Sequence, residues 1–139
     1  MEPKQTITVQ NTVNAPVEKA WTIFNTPAHI LHWNNASDDW HTTKAENDLR
    51  AGGSFSYTMA AKDGSFSFDY AGIYDEIKDF QQVAYTLGDG RKVTTIFEPA
   101  GNATKVTTTF EAENQNSIEL QRTGWQAILD NFKKYAETN

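Results

Sequence analysis

The 139-residue chain carries a formal net charge of −6, no cysteine, and aromatic side chains at 12% of its positions. That acidic balance opposes binding to a phosphate backbone, which relies on Lys and Arg displacing counterions, so no nucleic-acid partner is expected. Thiol catalysis, zinc thiolate centres and disulfides are excluded, and the length suits a single domain over residues 1–139 with a core of its own.

The opening MEPKQTITVQ has no basic segment leading into an apolar run. No stretch approaches the roughly 18 apolar residues of a membrane span, so a cytoplasmic protein with no membrane span is expected. KQTITVQNTV alternates and is rich in Thr, Val and Ile, which predicts a first strand. In NAPVEKAWTIFN, Pro16 suits a first helical position, and Val17, Ala20, Trp21 and Phe24 recur at helical spacing. TPAHILHW repeats the start signal with Thr26 as cap and Pro27 behind it, predicting a second short helix to about Trp33.

Runs of strand character follow. SFSYTMAA places Phe55, Tyr57 and Met59 on one face, and KDG at 62–64 suits a hairpin turn. SFSFDYAGIYDEI puts Phe66, Phe68 and Tyr70 on one face, with Ala71 and Gly72 permitting a bend or bulge. QQVAYTL, RKVTTIFEP and ATKVTTTFEAE, separated by GDG and AGN turns, complete a meander of six or seven antiparallel strands. Asn116 with Glu119 three residues on resembles a capping box. Beyond it Ile118, Trp125, Ile128, Leu129, Phe132 and Tyr135 form a helical stripe, predicting a helix over about 117–137. Gly124 lies inside that helix at about 1 kcal/mol relative to Ala, a cost that close approach to the sheet or to a ligand would explain.

The pieces NAPVEKAWTIF, LRAGGSFSY, DGSFSFDYAGIYDEI, FEPAGNATKVTTTFE and GWQAILDNFKKYAE occur in this order over nearly the whole chain. In that order the chain resembles the START-like helix-grip superfamily, and within it the branch homologous to the activator of the heat-shock-protein-90 ATPase. The resemblance implies an α+β fold in which a curved six- or seven-stranded antiparallel sheet wraps a long C-terminal helix, with two short helices after strand one. It also implies a hydrophobic cavity between sheet and helix, able to hold a lipid-like, polyketide-like or aromatic molecule. It does not by itself carry a chaperone role.

HWNNASDDWHTTK, residues 32–44, is the densest polar-aromatic stretch. His29 and His32 sit one helical turn apart, and His41 with Asp38 or Asp39 adds donors of the type zinc or nickel accepts. The spacing matches no established metal motif, so neither a metal nor another cofactor is expected. No Gly-x-Ser-x-Gly elbow is present, and the neighbours Asp38/Asp39 and Asp75/Glu76 point apart on a strand or solvate a loop, so no catalytic residues are assigned. The stretch reads as the rim of a pocket, with Trp33, Trp40 and His41 gating or lining the mouth. Tyr57, Phe68 and Tyr70 are expected to look across the concave sheet at Trp125 and Leu129, while Asp69 and Asp75 face solvent. Trp21, Phe24, Ile30, Phe55, Met59, Phe66, Ile96, Phe110 and Phe132 are also expected inside.

The leading expectation is a binder or carrier of a small hydrophobic molecule rather than an enzyme. The alternatives are a cyclase- or hydrolase-type enzyme using His41 or Tyr70 in the same cavity, and a module contacting a chaperone or another protein. A monomer or weak homodimer is the expected assembly.

Overall fold

The computed structural model describes residues 5–139. The first expected strand begins at Lys4, which lies outside the described residues. In chain order the elements are β1 Thr6–Val13, α1 Val17–Asn25, α2 Pro27–Trp33, β2 Trp40–Asn47, β3 Ser54–Ala61, β4 Ser67–Lys78, β5 Gln82–Leu87, β6 Lys92–Ala100, β7 Ala103–Glu111 and α3 Ile118–Thr138. The seven strands form one curved antiparallel sheet in the order β1-β7-β6-β5-β4-β3-β2, which leaves β1 and β2 as its edges. The fold is the α+β helix-grip arrangement, with α3 lying in the concave face.

Alternation fixes which face each strand turns inward. Along β7, Thr104, Val106, Thr108 and Phe110 are buried. On β6 the buried set is Val93, Thr95 and Phe97, so Ile96 points outward and is exposed, contrary to expectation. Two apolar residues in succession cannot both face the core. Phe97 takes the inward place because its ring meets Trp21 at 5.2 Å and Phe24 at 5.3 Å, edge to face.

Other details also differ from the sequence reading. Phe66 precedes β4, in the connection after Gly64, and is 60% exposed with Trp40 and Phe68 as ring neighbours. Gly72 sits in regular pairing with Phe55 and Leu87. The bulge falls instead between Tyr74 and Glu76, leaving Asp75 as the extra residue. A Cβ on Gly72 would lie 2.5 Å from the Thr86 carbonyl oxygen and 3.1 Å from the Phe55 ring, so close approach of backbone and ring explains this glycine. Pro16 is the N-cap of α1 rather than its first helical residue. Thr26 caps α2 by backbone position, without a side-chain hydrogen bond.

At α3 the cap is Ser117 and not Asn116: the Ser117 Oγ accepts the Leu120 backbone N–H at 3.1 Å. Asn116 is engaged elsewhere, donating through its backbone N (2.7 Å) and its Nδ2 (2.8 Å) to Glu113 Oε1. α3 is anchored along the β1 edge. The Asn11 amide donates to the Leu129 carbonyl (3.0 Å), the Gln126 amide to that of Gln10 (3.1 Å), and the Lys133 ammonium to that of Thr12 (2.8 Å). Its C-terminal half closes against the two short helices, where Phe132 meets Phe24 at 5.2 Å and Trp33 at 5.1 Å. Pulled toward β1 and pinned at one end, the helix stands away from β3, β4 and β5, and a gap remains between them. Among the described residues no helix is long and apolar enough to cross a membrane.

Candidate functional site: a tyrosine-floored cavity

That gap is a cavity of about 370 Å³. This is toward the lower end of the ~300–1,000 Å³ typical of small-molecule sites. Its floor is aromatic because β3, β4 and β5 present residues of one parity: Tyr57 on β3, Tyr70 and Tyr74 on β4, and Tyr85 on β5. Its roof is the α3 stripe of Trp125, Ile128 and Leu129. Trp125 is held by stacking on Phe110 with centroids 3.9 Å apart and planes 10° from parallel, and it meets Tyr70 edge to face at 6.2 Å. Phe24 and Trp33 close the inner end, and the Trp33 indole N–H is secured on the Ile23 carbonyl at 3.1 Å. Phe68, 42% exposed, and Leu120, 59% exposed, bound the cavity where it meets solvent, together with Glu113 and Asn116.

Several of the polar groups on this wall pair with one another. Tyr70 and Tyr85 share a hydrogen bond between their hydroxyls at 2.7 Å. Thr95 and Thr108 share another at 2.8 Å. The Tyr74 hydroxyl accepts from the Asn47 amide at 3.3 Å. Burial is the main cause that pushes all four tyrosine pKa values above the ordinary 10.0, most for Tyr57 and Tyr85, where neighbouring tyrosines add to it. At Tyr70 the hydrogen bond with Tyr85 and the Arg91 guanidinium offset part of that rise. The floor is therefore a set of neutral phenols at physiological pH.

A consequence is measurable in alkali. The unfolded chain releases these phenolic protons near 10.0, whereas the folded chain holds them longer. Above that pH the unfolded state binds fewer protons, so stability is unaffected below it and falls as pH rises through it. The phenolate absorbance of these four residues is expected to rise only together with loss of the native fold. Their ionisation near the ordinary value in a still-folded protein would contradict the buried floor.

Of the residues singled out from the sequence, Trp33, Tyr57, Phe68, Tyr70, Trp125 and Leu129 come together on the cavity wall. Trp40 and His41 do not reach it. Trp40 opens the edge strand β2 and backs the wall from outside, its ring 6.0 Å from Phe68 and 6.1 Å from Phe66. His41 follows it, paired with Ala60 and exposed. The rest of the stretch pins a loop: the Thr42 hydroxyl donates to the Asn34 carbonyl (2.6 Å), the Asn35 amide to the Ser37 carbonyl (2.9 Å), and the Ser37 hydroxyl to the Asp39 carboxylate. His29 and His32 embrace Tyr135 instead of a metal. The His29 Nδ1 lies 2.7 Å from the Tyr135 hydroxyl, and His32 stacks on the same ring. Among the described residues no three His, Cys, Asp or Glu side chains are placed to hold a metal ion.

Sequence reasoning did not single out Tyr74, Tyr85, Asn34 or Arg91, all on the wall. The two tyrosines carry a usable signal, since Tyr85 shares parity with Val83 and Leu87, and Tyr74 with Tyr70 and Gly72. Asn34 and Arg91 lie at an element end and in a turn, where no periodicity operates. Gly124 faces the cavity, and a Cβ there would meet nothing within 4 Å, so close approach to the sheet does not explain it.

Comparison with known proteins agrees with the fold. An AHSA1-like protein from Aeromonas hydrophila, solved in solution, has 40% sequence identity and a TM-score of 0.90 over 96% of this chain and 93% of its own. A solution structure from Cytophaga hutchinsonii is 51% identical, with a TM-score of 0.81 over 98% of this chain and 93% of that one. A protein from Chromobacterium violaceum, 20% identical over 97% of this chain and 99% of its own, has the same fold at a TM-score of 0.87. No curated protein matches the chain. Residues 14–137 match the family model, and the chain belongs to the family described as Activator of Hsp90 ATPase homolog 1-like protein.

Proposed function

We propose that this protein binds or carries a small hydrophobic molecule, lipid-like, polyketide-like or aromatic, in the cavity between the sheet and α3. The observation that carries the reading is the half-open space of about 370 Å³ bounded by tyrosine rings below and by Trp125, Ile128 and Leu129 above. Filling it with apolar atoms removes surface from water at about 25 cal/mol per Å². Catalysis is less well supported. The phenols are held protonated, and His41, the other candidate acid or base, lies off the wall on an edge strand. A second reading, contact with another protein, rests on the exposed rings of Phe66 and Phe68 beside the half-buried Trp40.

The test is a fluorescence titration with N-phenylnaphthylamine, a neutral apolar dye that brightens when removed from water. Saturable binding at one dye per chain is expected. A flat titration would point away from the cavity and toward the exposed aromatics.

A further inference from the structure

The mouth of the cavity lies where the sheet loses a strand. β4 is 12 residues long and β5 only 6, and the pairing between them ends at Gly72–Leu87. A last bond runs from the Gly88 N–H to the Ala71 carbonyl at 3.3 Å, and residues 67–70 of β4 pair with β3 alone. The end of the β3–β4 hairpin therefore forms a lip that no strand supports on its β5 side. Met59 and Phe68 face each other across this hairpin, and both line the cavity. Phe68 has the rings of Trp40 and Phe66 behind it at 6.0 Å and 6.1 Å, yet it remains exposed at the opening.

The other lip, the connection from β7 into α3, is built differently. The buried Gln121 side chain fastens it at three points: its Nε2 donates to the carbonyls of Glu113 (3.1 Å) and Asn116 (2.9 Å), and its Oε1 accepts the Glu113 backbone N–H (3.0 Å). Leu120 projects from this lip, exposed, and bounds the same cavity. One lip is pinned and the other is free along one edge, and each presents an apolar side chain to solvent. Resting on the binding reading above, we propose that the β3–β4 hairpin closes over an occupied cavity, its free β4 edge curling toward α3 so that Phe68 covers the ligand and meets Leu120. Closure takes both side chains out of water, and residues 67–70 have no β5 partner to lose in the movement. The ligand favours the closed form because only there does Phe68 add its cover to the bound molecule.

The chain has no cysteine, so a pair of spin labels can be placed without removing any native residue of that type. Ser67→Cys on the hairpin and Glu119→Cys beside Leu120 both fall at exposed positions, and the doubly labelled chain is expected to fold. Double electron-electron resonance then reads the width of the mouth with and without N-phenylnaphthylamine, whose fluorescence reports binding in the same sample. Saturating dye is expected to shorten the distance by several ångströms and to narrow its distribution. In the added variant Phe68→Ser, whose fold is spared because the ring is already exposed, the shortening is expected to be lost and the dye to dissociate about tenfold faster. An unchanged distance with dye bound overturns the closure and leaves the binding reading standing. Shortening that persists in full in Phe68→Ser overturns the assignment of Phe68 as the closing contact. Failure of the dye to bind overturns the binding reading and the closure together.

Discussion

Phe132→Ala is expected to destabilise the protein by about 3–5 kcal/mol, the range for deleting a fully buried aromatic side chain. Phe132 is 0% exposed and stands where three helices meet, edge to face with Phe24 and Trp33. Truncation removes the transfer energy of the ring and leaves a hole that the two flanking rings cannot close, because Trp33 is tied to the Ile23 carbonyl and Phe24 also packs on Phe97. Domains of this kind are stable by about 5–15 kcal/mol, so the loss is a large fraction of the total. Urea unfolding would show it as a lower midpoint with unchanged slope. A loss below about 1 kcal/mol would mean that α3 does not close against the short helices as described.

Gly124→Phe is expected to act in the opposite way, sparing the fold and removing the space. The Cβ position is open to 4 Å and faces the cavity, so a ring built there can enter the gap without displacing backbone. Leaving glycine also recovers part of its helix penalty, about 1 kcal/mol for the Ala variant. The melting temperature is therefore expected to hold or rise, while affinity for N-phenylnaphthylamine falls at least about tenfold, a loss of ~1.4 kcal/mol. Unchanged dye affinity in a folded Gly124→Phe protein would place the dye elsewhere.

These two positions show what the sequence does and does not display. Alternation in SFSYTMAA and ATKVTTTFE reads directly as inward Phe55, Tyr57 and Phe110, because a strand's side-chain period is two whatever lies beyond it. The α3 stripe is equally legible at its buried members Leu129 and Phe132. Local signals became ambiguous where two candidates were adjacent. Ile96 and Phe97 compete for one inward place, a contest settled by the distant rings of Trp21 and Phe24, and Asn116 and Ser117 compete for one cap, settled by Glu113 drawing Asn116 away.

The cavity itself is less legible. Tyr57 and Phe55 lie on the same strand with the same parity, yet Phe55 is packed by its neighbours while Tyr57 borders open space. The difference arises from the offset of α3 toward β1, which polar contacts from Gln10, Asn11 and Thr12 set across more than a hundred residues of sequence. Asn34 and Arg91 depend on the α2–β2 junction and the β5–β6 turn, where the chain direction and not a repeating pattern decides what a side chain faces. Trp40 and His41 illustrate the converse, since aromatic and polar residues close to the wall in sequence remain outside it on an edge strand.

The central claim is that the space under α3 is a binding site. Native mass spectrometry of the protein purified from its own host, followed by denaturing extraction of whatever accompanies it, tests this most directly. The account predicts one small hydrophobic molecule per chain, released on denaturation and absent from the Gly124→Phe variant. A bare chain mass, together with a flat N-phenylnaphthylamine titration, would contradict it.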